Sequence, residues 1–259
     1  MSFQLEAACI SHNGRILQHN EDNFLFSDNS LPEEHGSMPR PLTCRCESGP
    51  PQLFAVLDGM GGEANGQLAS FLAVQQLREM LSEVGTPDLS TELFSQLIQC
   101  MNQRIFQQAD LDGTRMGSTA VMLGFQGQQV WTCNLGDSRA YRLRAGSLTQ
   151  LTVDHVETIP PFMQKHRRKP RLNQCLGSDP MELRLEPHIA AEMMQAEDIY
   201  LLCSDGLTDV VPEQTLRELL QTGETMEQCT EMLLACALEH GGRDNITVIT
   251  IRVTAGREA

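Results

Sequence analysis

A chain of 259 residues is long enough to bury a continuous core, as one large domain or two small ones. Hydrophobic residues make up 41% and charged residues 20%, which excludes wholesale disorder. Nineteen Lys and Arg against 34 Asp and Glu leave a net charge of −15, and a surface that acidic repels phosphate backbones, so nucleic acid is not an expected partner. The nine cysteines are odd in number and scattered, and Cys9, Cys133, Cys203 and Cys236 lie inside apolar runs, where a thiol acts as a small hydrophobe. Cys44 and Cys46 form a C-x-C with no second pair to complete a zinc site. A reducing, cytoplasmic location is therefore expected. The first ten residues lack the basic start and apolar stretch of a signal peptide. No apolar run approaches the ~20 residues that span a bilayer, so no membrane insertion is expected.

Taken in chain order, Phe3 to Ile10 reads as a first strand and Asn23 to Phe26 as a short second one. Residues 27 to 52 carry Pro32, Pro39, Pro41, Pro50 and Pro51 and read as a loop insertion. Leu53 to Leu57 is a buried-strand candidate. A helix with Leu68, Phe71, Leu72, Leu77, Met80 and Leu81 near helical spacing follows, before Pro87. A second helix runs from Thr91 to Gln108, its apolar side formed by Leu93, Phe94, Leu97, Ile98, Met101 and Ile105. Then the period shortens. Thr119 to Phe125, Val130 to Leu135, Ala140 to Leu143 and Leu148 to Leu151 read as strands between glycine-bearing turns. Residues 156 to 174 read as irregular. Ile199 to Cys203 is a strand, helices fall near 213–221 and 225–239, and Ile246 to Val253 is a closing strand rich in β-branched residues. The pattern is α+β in a single domain over 1–259.

Four times an apolar run ends at or borders an aspartate in a turn: Asp58, Asp137, Asp205 and Asp244. Strand ends of one sheet system lie near each other, and a cluster of carboxylates repels itself unless a hard cation relieves it. With no histidine or cysteine in these turns, magnesium or manganese is favoured over zinc. Any one Asp-Gly is a common turn dipeptide, and a lone one is structural in most cases; it is the four together that point to a site.

Taken together, the segments closely resemble the metal-dependent protein phosphatases of the 2C type, bacterial members above all. The resemblance rests on Asn20-Glu-Asp22, Val56-Leu-Asp-Gly-Met-Gly-Gly62, Gly117-Ser-Thr-Ala120 and Asn134-Leu-Gly-Asp-Ser-Arg139. It continues through Leu151-Thr-Val-Asp-His155, Cys203-Ser-Asp-Gly-Leu207 and Gly241-Gly-Arg-Asp-Asn-Ile-Thr247. It implies a four-layer α-β-β-α sandwich of two antiparallel sheets flanked by helices, with a short flap near 156–174. It also implies two Mn2+ or Mg2+ ions and a third seen in many relatives. By the motif match, Asp58 bridges two ions, the Gly59 carbonyl binds one, and Asp205 and Asp244 complete the other. Glu21 and Asp22 look like the pair that holds waters at the site's edge, and Asp137 with Asp205 looks like the ligand pair of the third ion. The implied reaction is attack on a phosphoserine or phosphothreonine by a water activated between the metals. The implied catalytic residues are Asp58, Asp205 and Asp244. The implied partners are phosphorylated proteins and a cognate serine/threonine kinase. Short flaps of this kind are also similar to those of phosphatases paired with kinases that govern secretion machines.

Two positions depart from the family pattern. Where the family commonly has a phosphate-contacting arginine, this chain has Leu17. Arg15 lies two residues earlier, on the same face if the stretch is extended, and is placed either to reach the phosphate or to be solvated. Glu63 stands where relatives often carry histidine, facing the substrate or complementing a helix dipole. Asn245 is read as a substrate contact or as a brace for the Asp244 turn. The run Lys165-His-Arg-Arg-Lys169 with Arg171 is read either as a solvated loop or as a patch that attracts acidic substrates. The competing function is a catalytically weak phosphatase-like module that binds phosphoproteins or a regulatory partner. A phosphate-loop reading of Gly59 to Gly62 fails for want of the G-x-G-x-x-G register and a following Lys-Ser/Thr.

Overall fold

The computed structural model describes residues 3–61, 65–85, 88–158 and 169–256. The chain opens with strands β1 (Phe3–His12), β2 (Asp22–Leu25), β3 (Leu42–Glu47) and β4 (Gln52–Met60), then helices α1 (Asn65–Val84) and α2 (Thr91–Asp112). A block of strands follows: β5 (Gly117–Ser118), β6 (Ala120–Gln126), β7 (Gln129–Leu135), β8 (Arg139–Arg144), β9 (Ser147–Gln150), β10 (His188–Met193) and β11 (Ile199–Cys203). Helices α3 (Asp205–Thr208), α4 (Glu213–Thr222) and α5 (Met226–Glu239) lead to β12 (Ile246–Ala255). One antiparallel sheet has the order β3-β1-β12-β11-β8-β9, the other β10-β7-β6-β4-β2, with β5 paired to the end of β4.

Both faces of the central strands are buried, so they read in sequence as unbroken apolar runs. Along β4, Phe54 and Val56 face the other sheet, while Ala55 and Leu57 face α1 and α2. Along β12, Ile249, Ile251 and Val253 point between the sheets, and Ile246 and Val248 meet α4 and α5. The result is four layers, helix-sheet-sheet-helix. Phe125 of β6 joins the sheets, edge-on to Phe54 at 5.9 Å and to Tyr200 of β11 at 5.4 Å. Each such pair contributes about 0.5–1.5 kcal/mol beyond its buried area. Among the described residues no helix is long and apolar enough to cross a membrane.

The segment 27–52 is not simply a loop. Its prolines cluster at 32–41 and 50–51, and the stretch between them forms β3, an edge strand paired with β1 in the register Ala7 to Cys44. An edge strand tolerates prolines at its ends because one row of its backbone groups needs no partner. Its alternation is shallow: Leu42, Cys44 and Cys46 rest against the inter-sheet core while Thr43, Arg45 and Glu47 are exposed. Strand β10, another edge, also lay outside the sequence-based expectation. Of the expected flap near 156–174, residues 159–168 lie outside the described residues, as does Glu63. The described part is stapled by a bridge between Val156 and Leu172.

Candidate active site

Both sheets bring strand ends to one rim of the sandwich. Asp22 starts β2 and Asp58 lies near the end of β4, directly opposite it in register. Asp137 occupies the turn between β7 and β8, Asp205 follows β11, and Asp244 precedes β12. The charges of Asp22, Asp244 and Asp137 all act on Asp58. Burial first, then the charges of Asp22, Asp244 and Asp137, hold the Asp58 carboxyl well above the usual range. Asp22 is 1% exposed, and burial, reinforced by Asp244 and Glu21, pushes its pKa up to about 7. Glu21 is pushed to about 6 by burial and then by Asp244. Burial also raises Asp137.

Hydroxyls and amides fix these acids. The Ser204 hydroxyl donates to Asp22 Oδ2 at 2.7 Å and accepts from the Thr247 amide at 3.0 Å, linking β2 to the other sheet. The other oxygen, Asp22 Oδ1, is buried with no hydrogen-bond partner. Asn20 orients the same turn, its Nδ2 donating to Ser11 Oγ at 2.8 Å and its Oδ1 accepting from the Asp22 amide at 3.2 Å. The Asp58 carbonyl accepts from the Thr119 amide at 2.8 Å and from Ser118 Oγ at 3.1 Å. The Thr119 hydroxyl in turn meets Ser138 Oγ at 2.7 Å, next to Asp137. The Gly117–Ala120 motif thus ties the Asp58 strand to the Asp137 turn. The hydroxyls Ser204, Ser118, Thr119 and Thr247 were not singled out from sequence, although each lies inside a quoted motif.

Glycine is required where backbones cross. A side chain at Gly59 would overlap the backbone of Gly66 in α1 and come within 2.6 Å of the Glu21 carbonyl, while one at Gly66 would run into the Glu21 carboxylate. At Gly206 it would strike the Asn245 carbonyl.

Asn245 braces rather than faces outward. Both protons of its side-chain amide are used, on the carbonyls of Asn13 at 3.0 Å and His19 at 2.9 Å, and its Oδ1 accepts from the Glu21 amide at 2.7 Å. Of the two roles read from sequence, the geometry favours the brace over the substrate contact. Arg15 is in a turn with Gly14 (φ 79°), its amide bonded to the Gly242 carbonyl at 2.7 Å. The stretch is not extended, so the same-face argument for replacing Leu17 does not hold, although Arg15 remains exposed beside the Asp244 turn. His155 is half-buried, and its Nδ1 accepts from the Gly136 amide at 3.2 Å, which gives it a structural place.

Lys169 is the unexpected member. Its ammonium pairs with Asp205 Oδ2 and lies 3.0 Å from Asp209 Oδ2 and 3.6 Å from Asp137 Oδ2. Burial works against its charge, but Asp137 and Asp209 outweigh that and raise its pKa. It is thus engaged by the acids of the rim although its side chain is 45% exposed; Lys165, Arg167 and Arg168 lie outside the described residues. In this arrangement, no three Asp, Glu, His or Cys side chains among the described residues stand at metal-ligand spacing. The donor set is nevertheless one that suits a hard divalent cation: acids whose pKa values burial, and then one another's charge, raise, and an unpartnered buried carboxylate oxygen.

With that geometry in hand, comparison with known proteins is informative. The family model described as Protein phosphatase 2C matches residues 43–241. The chain is 32% identical over 263 aligned residues to the serine/threonine phosphatase stp of Listeria monocytogenes, covering 95% of this chain and 96% of that protein. The solved catalytic domain of the serine/threonine protein phosphatase PstP, in complex with 2 manganese ions, superposes with a TM-score of 0.77 at 28% identity, over 98% of this chain and 100% of that one. PppA, a key regulatory component of T6SS in Pseudomonas aeruginosa, superposes with a TM-score of 0.75 at 29% identity, again over 98% and 100%. The ordered motifs, the two-sheet sandwich and these likenesses agree, and the chain belongs to the protein phosphatase 2C family.

Proposed function

We propose that this phosphatase hydrolyses phosphoserine and phosphothreonine in proteins at a pair of Mn2+ or Mg2+ ions held by Asp58, the Gly59 carbonyl, Asp205 and Asp244, with Glu21 and Asp22 at the edge. The observation that carries the reading is the pairing of buried Asp22 with half-buried Asp58 across β2 and β4, mutually repelling, and with Asp22 Oδ1 left without a partner. Such a pair is a cost in the folded protein unless a cation shares it. The 2 manganese ions of the PstP catalytic domain support the same reading. When bound, the ions would supply Lewis-acid charge that activates a water and neutralises the phosphoryl oxygens.

The chain's own residues do the positioning. Ser118 and Thr119 fix the backbone of Asp58, Ser204 orients Asp22, and Asn245 holds Glu21 against the Asp244 turn. Arg15, exposed beside that turn, is the cation available to the substrate phosphate. The proposed setting is the cytoplasm, opposite a serine/threonine kinase.

The test is hydrolysis of p-nitrophenyl phosphate and of a phosphothreonine peptide with Mn2+, Mg2+ or EDTA. Turnover should require metal, and Asp58→Asn or Asp205→Asn should each lower kcat at least about a hundredfold. Absence of turnover with metal demonstrably bound would instead favour the phosphoprotein-binding module.

A further inference from the structure

Lys169 brings a positive charge to the place where the sequence motifs suggest a third ion. The side chains of Asp137 and Asp205 are 11% and 13% exposed, so water does little to screen them from each other. The lysine side chain, 45% exposed, reaches in from outside, and the exposed Asp209 completes a ring of three carboxylate oxygens around one nitrogen. An ammonium has three N–H donors and no acceptor; here Asp205 and Asp209 lie within hydrogen-bond distance and Asp137, at 3.6 Å, is held by charge alone. In each of the three contacts the nearest carboxylate oxygen is Oδ2.

The position of the lysine is built in. The Glu157 amide donates to the Arg171 carbonyl at 2.8 Å, the Asn173 amide donates to the His155 carbonyl at 3.0 Å, and Leu172 bridges to Val156. Residues 171–173 are thereby stapled to the loop that follows β9, and Lys169 projects from the start of that staple. On the acid side, the Asp209 amide donates to the Asp205 carbonyl at 2.8 Å, which holds two of the three carboxylates in one turn around α3.

We propose that the Lys169 ammonium takes the place of a third divalent ion between Asp137 and Asp205, so that the chain saturates with two ions and gains a third only when the lysine is removed. The inference rests on the dinuclear reading above. A tethered cation has an effective concentration that a free ion at cellular levels does not match, and it need not shed a tightly held hydration shell. It also holds the Asp205 carboxylate in place through Oδ2. The ammonium and an ion cannot share the gap, so the two are mutually exclusive.

The experiment is a Mn2+ titration of the full chain in which free Mn2+ is read by electron paramagnetic resonance. The wild type should bind two ions per chain, and both Lys169→Met and Lys169→Gln should bind three, the third at least about tenfold tighter than any further binding to the wild type. Lys169→Met combined with Asp137→Asn should return to two, which separates a true third site from general loosening; circular dichroism checks that each variant is folded. A third ion already present in the wild type, or lysine variants that still saturate at two while folded, would overturn the proposal and leave the dinuclear reading intact. A wild type that binds no Mn2+ would overturn both.

Discussion

Removing the Asn245 side chain orphans the carbonyls of Asn13 and His19 and the amide of Glu21 at once. Each buried group left unsatisfied costs about 1–3 kcal/mol, less where water can reach it, and these sites are only part-buried. Asn245→Ala should therefore lower stability by about 2–4 kcal/mol in urea titrations and weaken Mn2+ binding, because Glu21 loses its anchor. A loss below about 1 kcal/mol with unchanged Mn2+ affinity would show that the brace is idle. The same residue shows what sequence could give. An Asp-Asn pair in a turn signals a site, but whether the asparagine faces substrate or backbone depends on a segment more than 220 positions away. Lys169 was harder still. A basic run in a loop ordinarily means a solvated face, and only the meeting of Asp137, Asp205 and Asp209 around its nitrogen identifies it.

Elements were legible in proportion to burial. β4, β6, β11 and β12 are apolar on both faces and stand out as continuous runs, whereas β3 alternates with exposed Thr43, Arg45 and Glu47, and β10 is a short edge whose exposed residues are Ala190, Ala191 and Met193, too shallow a pattern to mark a buried strand. Helix α2 was legible at its start because Ser90 precedes it, accepting from the Leu93 amide at 3.2 Å. Its end lies later than the apolar periodicity suggested, at Gly113 in the left-handed conformation (φ 63°), whose amide donates to the carbonyls of Ala109 and Asp110. Ser90→Ala should cost about 1 kcal/mol, seen as a lower thermal midpoint with unchanged phosphatase activity, since the cap lies far along the chain from every acid of the rim. A change in Mn2+ dependence on that substitution would contradict the separation of the helix layer from the site.

For the whole molecule, the acidic rim makes stability depend on pH and metal together. Without divalent ions, Asp22 keeps its proton in the folded state up to about pH 7, against an ordinary value of 3.8, and Glu21 keeps its own up to about 6 against 4.5. Between about pH 4 and 7 the folded state thus holds more protons than the unfolded one. Stability in EDTA should fall as pH rises through that window. Relative to wild type, Asp22→Asn should flatten the fall, and added Mn2+ should reverse it, because metal binds the ionised acids. Thermal midpoints measured from pH 4 to 8 with EDTA and with Mn2+ decide this. An EDTA curve that rises across the window in wild type and variant alike would refute it.

Strand β12 lies at the centre of its sheet, flanked by β1 on one side and β11 on the other, and the Asp244 turn leads directly into it. Phe3 pairs with Ala255, so β1 waits for β12 before its second row of backbone groups is satisfied. During synthesis β1 therefore emerges long before its neighbour exists, and one row of its backbone groups stays open until the ribosome has passed residue 255. Neither the acidic rim nor the inter-sheet core can close earlier. A nascent chain of this kind is silent toward phosphoproteins until β12 has been made, and a message cut short upstream of β12 yields no partial enzyme.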